Sequence, residues 1–210
     1  MIEDRNKGIT IEYNHLNLPN KVLFNNGNRL EWIYDAIEIN LTKKVYTGNA
    51  LTSTKEYAGG FEYYNNQLEA IYFEEGRVAY LGEGAYRYEY SLKDHLGNTR
   101  VTFADVNNDG KVVEEEILQE EHVYPFGLRM EGYGGLVQGA ENPYQFNGTE
   151  KIEDFDLDWH HTLYRSYDPT LGRWHQIDPK HSARESEYVG LGSDHINSFS
   201  TTSSVYLNML

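Results

Sequence analysis

The sequence predicts an all-β fold, on the evidence of its composition, its alternation and its repetition. Tyrosine occurs 18 times in 210 residues, glycine 19 times and proline only 5 times. Aromatic residues favour strands, and glycine and asparagine favour the turns between them. Short segments also alternate aromatic or aliphatic residues with polar ones and end at Asn, Asp or Gly, which is typical of half-buried strands. We therefore expect consecutive antiparallel hairpins.

A loose repeat occupies the first third of the chain. Its units begin at residues 11–14 (IEYN), 32–35 (WIYD) and 57–60 (YAGG), so the period is about 20 residues, as in stacked hairpins. Alternation predicts strands within these units at 29–34 (RLEWIY) and 43–46 (KKVY). We assign residues 1–90 to hairpins of this kind.

Two hairpins are predicted in more detail. The first joins 61–64 (FEYY) to 67–73 (QLEAIYF) through Asn65-Asn66. The second joins 87–92 (RYEYSL) to 99–103 (TRVTF) through a turn in which Gly97 is the natural residue for a positive φ.

Charge and composition exclude several classes of function. The formal net charge of −15 and the lack of a basic cluster argue against a nucleic-acid partner and favour cations. There is no Cys, which excludes disulfides, thiolate metal sites and Cys nucleophiles. The first residues lack the pattern of a secretory signal, and no apolar run approaches the roughly 20 residues of a membrane span.

An acidic segment, 105–116 (DVNNDGKVVEEE), matches the calcium-loop pattern. The predicted ligands are the side chains of Asp105, Asn107, Asp109 and Glu116 and the carbonyl of Lys111. Gly110, at position 6 of the loop, permits the sharp turn. The preceding residues form a predicted strand instead of a helix, and position 9 of the loop is a valine. The alternative is therefore an acidic turn without metal, in which Asp-Gly supplies the bend.

Several motifs occur in a fixed order along the chain: 59–61 (GGF), 93–98 (KDHLGN), 124–127 (YPFG), 165–169 (RSYDP) and 172–174 (GRW). With the Tyr-Asp and Tyr-Asn dipeptides of the repeat, they resemble the RHS (YD-repeat) family over roughly residues 8–179. The resemblance identifies 91–179 as similar to the RHS repeat-associated core. It implies a strip of β-hairpins that winds into a hollow shell around a secreted toxin in bacteria.

The chain departs from that family pattern at its end. Members of the family are commonly several times longer, and their closing motif beyond Asp178-Pro179 is absent here. The resembling proteins cut themselves near that motif with aspartates, so Asp168 and Asp178 are weak catalytic candidates. The alternative is that both carboxylates cap backbone amides in turns, with Arg173 as an ion partner. We expect the structural role, and no enzyme activity.

Two other site types receive weaker support. His160, His161 and His175 are candidate zinc ligands, but adjacent side chains on a strand point to opposite faces. Exposed Tyr and Trp rings on a sheet can stack on sugars, although half-buried packing is the commoner role of such residues.

The sequence thus predicts a non-enzymatic structural fragment of an RHS-type shell that encloses or presents an effector, with calcium as an optional stabiliser. The partner would be the remainder of the shell or another copy of the chain, in a secreted or cell-associated system. The alternative is a small calcium-dependent module that binds a glycan or a protein. Residues 180–210 are rich in Ser, Thr and Asn, and we expect a flexible tail there, too short for a toxin domain.

Overall fold

The computed structural model describes residues 2–130, 137–162 and 165–177, together with Ser186, Tyr188 and Val189. The described residues form two antiparallel sheets connected by turns and three short 3-10 segments. This confirms the predicted all-β class. The predicted tail, 180–210, lies outside the described residues apart from the three named. No helix in the described part is long and apolar enough to cross a membrane.

The larger sheet has twelve strands in sequence order, each paired with the next. The strands are β1 (Glu3–Asp4), β2 (Ile9–Tyr13), β3 (Pro19–Phe24), β4 (Arg29–Tyr34), β5 (Asn40–Thr47), β6 (Ala50–Ala58), β7 (Phe61–Tyr64), β8 (Gln67–Phe73), β9 (Gly76–Gly82), β10 (Ala85–Lys93), β11 (Thr99–Phe103) and β12 (Ile117–Glu120). Short turns join most successive strands and the acidic loop joins β11 to β12, so neighbours in sequence become neighbours in the sheet.

Both hairpins predicted in detail are present. The turn between β7 and β8 has Asn65 and Asn66 at φ 49° and 65°, the left-handed conformation that a two-residue hairpin turn needs. Gly97 has φ 81° in the turn before β11. Strand β10 crosses residue 90, so the large sheet continues through the boundary that we predicted between the two segments. That division stays a prediction.

Gly76 permits close contact between two strands. It begins β9 opposite Tyr90 of β10, and a Cβ atom added at Gly76 would lie 1.9 Å from the Glu89 carbonyl oxygen. Real Cβ atoms do not approach a carbonyl so closely, so a side chain here would separate the strands. The sequence marks this position only as the end of a Glu-Glu-Gly turn.

The smaller sheet lies near the C-terminal end of the described chain. Its strands are β13 (Glu150–Ile152), β14 (Trp159–His161), β15 (Ser166–Asp168) and β16 (Arg173–Trp174), again paired in sequence order. The 3-10 segments are Glu114–Glu116, Phe146–Gly148 and Asp154–Asp156. Val189 adds an isolated bridge to Arg173 at the edge of this sheet.

The two sheets share one hydrophobic core. Alternate residues of β2 to β5 point to the same face, where they meet side chains from the small sheet and from the turn before β14. His161 of β14 stacks on Trp32 of β4, with 5.0 Å between ring centroids. The buried members are Ile9, Ile11, Val22, Leu30, Trp32, Val45, Ile152, Leu157 and Trp159. The C-terminal segment therefore folds back onto the first strands of the chain.

Candidate functional site

Beyond this core, the covered face of the large sheet becomes charged. The Nζ atom of Lys55 in β6 lies 2.8 Å from Glu62 Oε2 of β7 and 2.8 Å from Glu150 Oε1 of β13. Tyr57 donates its hydroxyl hydrogen to Glu150 Oε2 at 2.8 Å, and Tyr144 donates to Glu62 Oε1. The three charged residues are at least nine-tenths buried. One ammonium group thus joins two strands of the large sheet to the small sheet.

These five residues form what we call the Lys55 cluster (Lys55, Tyr57, Glu62, Tyr144 and Glu150). Burial and neighbouring charges set the protonation state of its members. Burial alone lowers the pKa of Lys55, but Glu150 and Glu62 outweigh it and raise that pKa well above its usual value. Burial raises the pKa of Glu62, although Lys55 opposes the rise. For Glu150, burial raises the pKa, but Lys55 and Lys43 together hold it below its usual range. The ammonium therefore remains charged, and Glu150 is the more strongly ionised carboxylate.

A second charged contact fixes the segment before β13. Arg77 Nε of β9 lies 2.8 Å from Glu89 Oε2 of β10, and both side chains are buried. The remaining guanidinium nitrogens donate to the carbonyl oxygens of Ala140 at 2.6 Å and Glu141 at 3.1 Å. A planar guanidinium group suits this task because it can donate in several directions at once. The backbone of the segment is thereby held against β9 and β10 of the large sheet.

The motif residues form a small aromatic core of their own. Phe146, Tyr167 and Trp174 pack together, and the Tyr167 hydroxyl donates to the carbonyl oxygen of Phe126 at 3.0 Å. Gly127 has φ 83°, and a Cβ atom there would come within 2.6 Å of the Phe146 ring. The glycine of the 124–127 motif is therefore required by both conformation and space. Residues of the 124–127, 165–169 and 172–174 motifs therefore pack together in one place.

The acidic loop turns its side chains onto its own backbone. Asp105 Oδ2 accepts from the Gly110 amide at 2.9 Å, and Asn107 Oδ1 accepts from the Asp109 amide at 2.8 Å. Glu116 Oε1 accepts from the Val106 amide at 2.8 Å. These bonds define a tight loop.

The predicted ligands Asp105, Asn107, Asp109, Lys111 and Glu116 offer only oxygen atoms, and oxygen is what calcium prefers. Their donor chemistry therefore suits the ion. Among the residues that the structure describes, however, no three His, Asp or Glu side chains converge closely enough to hold a metal. Calcium binding by this loop stays a prediction.

The catalytic candidate Asp168 lies at a buried position in the small sheet. It has no exposed surface, its Oδ2 atom lies 3.0 Å from Lys7 Nζ, and its Oδ1 atom accepts from the Thr170 amide at 2.8 Å. Capping of a turn amide was expected. The prediction that Arg173 is the ion partner of Asp168 is wrong. Lys7 pairs with Asp168 instead, because the N-terminal strands pack against the small sheet. Asp178, the second candidate, lies outside the described residues.

The histidines face different surroundings, as strand alternation predicts. His160 packs on Phe146, and its Nδ1 atom lies 3.2 Å from the Thr149 hydroxyl, whereas His161 packs on Trp32. His175 packs on Trp159, with 4.0 Å between ring centroids. Burial lowers the pKa of His160 to about 3, and burial lowers the pKa values of His161 and His175 to about 4. All three are therefore neutral packing residues at physiological pH.

A cleft of about 430 Å³ opens beside the Lys55 cluster, between β5 to β9 and residues 140–154. Sequence reasoning missed both the cluster and the cleft. A signal was available, because Lys55 and Glu62 occupy strand positions whose side chains point to the covered face. Their partner Glu150, however, is 95 residues from Lys55 in sequence.

Comparison with known proteins supports an RHS-like fold. No family model and no curated protein matches the sequence. Among solved structures, the chain matches the crystal structure of TcdB2-TccC3-TEV, with TM-score 0.68 and 17% identity over 93% of this chain. It also matches the Photorhabdus luminescens Tc holotoxin pore with TM-score 0.69 and 18% identity, over 93% of this chain.

A third match, the crystal structure of TcdB2-TccC3-Cdc42, has TM-score 0.68 and 16% identity over 95% of this chain. In each case the aligned part is 10% of the other chain, so our chain spans about a tenth of the length of the solved chains that it matches. Identity at this level shows the fold alone. The chain therefore has the RHS-like fold of a section of these Tc toxin chains.

Proposed function

We propose that the chain is a non-enzymatic section of an RHS-type β-shell that encloses or presents a secreted effector. The observation that carries the proposal is the open sheet: its twelve strands follow one another in sequence order, with the two-residue β1 at one edge. At the other edge lies β12, which is covered in the described residues only by an isolated bridge to Val137. An open edge exposes unpaired backbone groups and is stable when another strand covers it. A shell would supply such strands, from the remainder of a longer polypeptide or from another copy of the chain.

The covered face supports a rigid structural role. The Lys55 cluster and Arg77 join the C-terminal segment to strands β6, β7, β9 and β10, so the segment stiffens the sheet along much of its width. Asp168 supports the same view, because it is buried, ion-paired and bonded to turn amides. Its complete burial and its ion pair with Lys7 fit a structural role.

The test is the native assembly of the full chain. We would isolate the tagged protein under native conditions from the cells that make it and image the particles by cryo-electron microscopy. The shell proposal expects a further strand hydrogen-bonded to β1 or β12 and a continuous wall on either side. A monomer of 24.3 kDa with both edges bare would contradict it.

A second candidate is a small calcium-dependent binding module, and the acidic loop favours it. Asp105, Asn107, Asp109, the Lys111 carbonyl and Glu116 would hold the ion, which would supply local rigidity to the β11–β12 connection. In this version a glycan or a protein would be the ligand of the folded module.

Calcium is expected to raise the melting temperature of the purified chain if this loop binds the ion. A ligand that binds only the folded state at about 100 times its Kd adds about 2.7 kcal/mol to the free energy of unfolding. Differential scanning calorimetry with calcium and with chelator measures the shift. Glu116→Gln should abolish the shift and Glu114→Gln, in the same turn, should keep it. An equal melting temperature in both buffers would exclude the site.

A further inference from the structure

The cleft beside the Lys55 cluster is large enough for a small ligand. Its volume of about 430 Å³ falls in the range of roughly 300 to 1,000 Å³ that is usual for small-molecule sites. One wall is the large sheet, with Tyr64, Gln67 and Tyr72, and the other is the loop that contains Pro143 and Gln145. Both walls belong to elements that the buried ion pairs hold in place, so the cleft is preformed.

Nearly all of the charged groups around the cleft are already neutralised. Lys43 Nζ lies 2.6 Å from Asp154 Oδ2, and Lys151 pairs with Glu153. Lys55 is held by two carboxylates and Arg77 by a third. No basic side chain of the lining is left over for an anionic ligand.

Glu69 is the exception. It lies in β8 at the lining of the cleft, it is half-buried, and its carboxylate has no hydrogen-bond or ion-pair partner within the described part of the chain. The lining contains four basic and five acidic side chains, a formal charge of −1, in a chain whose net charge is −15. The available charge in the cleft is therefore negative.

Aromatic rings complete the surroundings. Tyr64, Tyr72 and Tyr80 all line the cleft, and Tyr64 is 45% exposed, so part of its ring faces open space. The face of an aromatic ring attracts a cation, and the attraction increases when water is excluded. A carboxylate beside tyrosine rings suits an amine or a guanidinium group, which supplies both hydrogen-bond donors and the opposite charge, whereas a neutral sugar supplies donors alone.

We propose that this cleft binds an organic cation, with Glu69 as the ion partner and Tyr64 as the ring on its rim. The cation is an alkylguanidinium or alkylammonium group. Such a group is found in small polyamines and in the Arg and Lys side chains of polypeptides. The proposal concerns the folded chain itself and does not depend on its place in a shell.

The test is isothermal titration of the full chain with agmatine, with N-acetyl-arginine methylamide and with maltotriose as a neutral sugar. We expect agmatine to bind and maltotriose not to bind. Comparable binding of the arginine derivative would point to a polypeptide side chain as the source, and binding of agmatine alone would point to a free amine. Binding of the sugar without either cation, or of no probe at all, would overturn the proposal.

Variants locate the site. Glu69→Gln is expected to weaken agmatine binding at least about tenfold, and Tyr64→Leu about threefold, because each removes one attraction for the cation. Glu56→Gln is the matched control: Glu56 is exposed and follows Lys55 on β6, so its side chain points to the opposite face. Thermal melts check that all variants fold. Unchanged affinity in folded Glu69→Gln, or an equal loss in Glu56→Gln, would contradict the assignment.

Discussion

Replacement of Lys55 by Met is expected to lower the free energy of unfolding by about 3–5 kcal/mol. The Lys55 ammonium is the group that lies 2.8 Å from both Glu62 and Glu150, and its removal leaves two carboxylates buried without their cation. Because Met preserves much of the side-chain volume of Lys, the loss of stability reflects the missing charge more than a loss of packing. Urea denaturation of the full chain, monitored by tyrosine and tryptophan fluorescence, measures it.

Two further variants separate the charge from the substitution. Lys44 lies in β5, beside the strand that holds Lys55, and makes no ion pair within the described residues. Lys44→Met should lower the free energy of unfolding by less than about 1 kcal/mol. The variant that replaces the whole cluster, Lys55→Met, Glu62→Leu and Glu150→Leu with Tyr57→Phe and Tyr144→Phe, should recover much of the lost stability, because an apolar set that replaces a buried ion cluster is often nearly neutral. A loss of less than 1 kcal/mol in Lys55→Met would show that the cluster does not stabilise the interface.

Acidification from pH 7 to pH 4.5 is expected to destabilise the chain by about 2 kcal/mol for each buried histidine. In the unfolded chain the histidine pKa is about 6.5. In the folded chain, burial lowers the pKa of His160 to about 3 and the pKa values of His161 and His175 to about 4. At a pH between the folded and the unfolded pKa of a histidine, that histidine is protonated in the unfolded chain and neutral in the folded chain. Stability is therefore full above pH 6.5 and is lost as the pH falls toward 4.

The slope of stability against pH identifies the groups. Each buried histidine contributes a slope of up to about 1.4 kcal/mol per pH unit below 6.5, and His160→Gln or His161→Gln should each remove one such contribution. His122→Gln, at an exposed histidine, serves as the control. Glu62 and Glu121, whose pKa values are raised by burial, act in the opposite direction, so slopes and not single values must be compared. Identical slopes in all variants would contradict the prediction.

Much of the large sheet was predictable because its determinants are local. Strands β4, β7, β8 and β11 have the bounds that alternation indicated, and Asn65, Asn66 and Gly97 adopt the positive φ values that their turns require. The motifs at 124–127 and 172–174 were recognised only as residues that resemble the family, and no contact between them was predicted. In the structure, Gly127 and Trp174 pack around the same aromatic core.

The candidate sites were less predictable. The aspartate that resembled a catalytic residue is a buried partner of Lys7, and the histidines are neutral packing groups. The acidic loop was recognised from its residue spacing, because all of its candidate ligands lie within twelve consecutive residues, 105–116. The Lys55 cluster and the cleft were not found, because their members come from strands far apart in sequence.

The sequence by itself determined the all-β class, the position of several hairpins along the chain and which side chains of a strand share a face, because the two-residue period of a strand and the geometry of a short turn are local properties. Only the tertiary structure decided what covers that face. Glu150 reaches Lys55 across 95 residues because the C-terminal segment folds back over the sheet. That return is set by the joint packing of Trp159, Ile152 and the core of β2 to β5, and no local pattern specifies it.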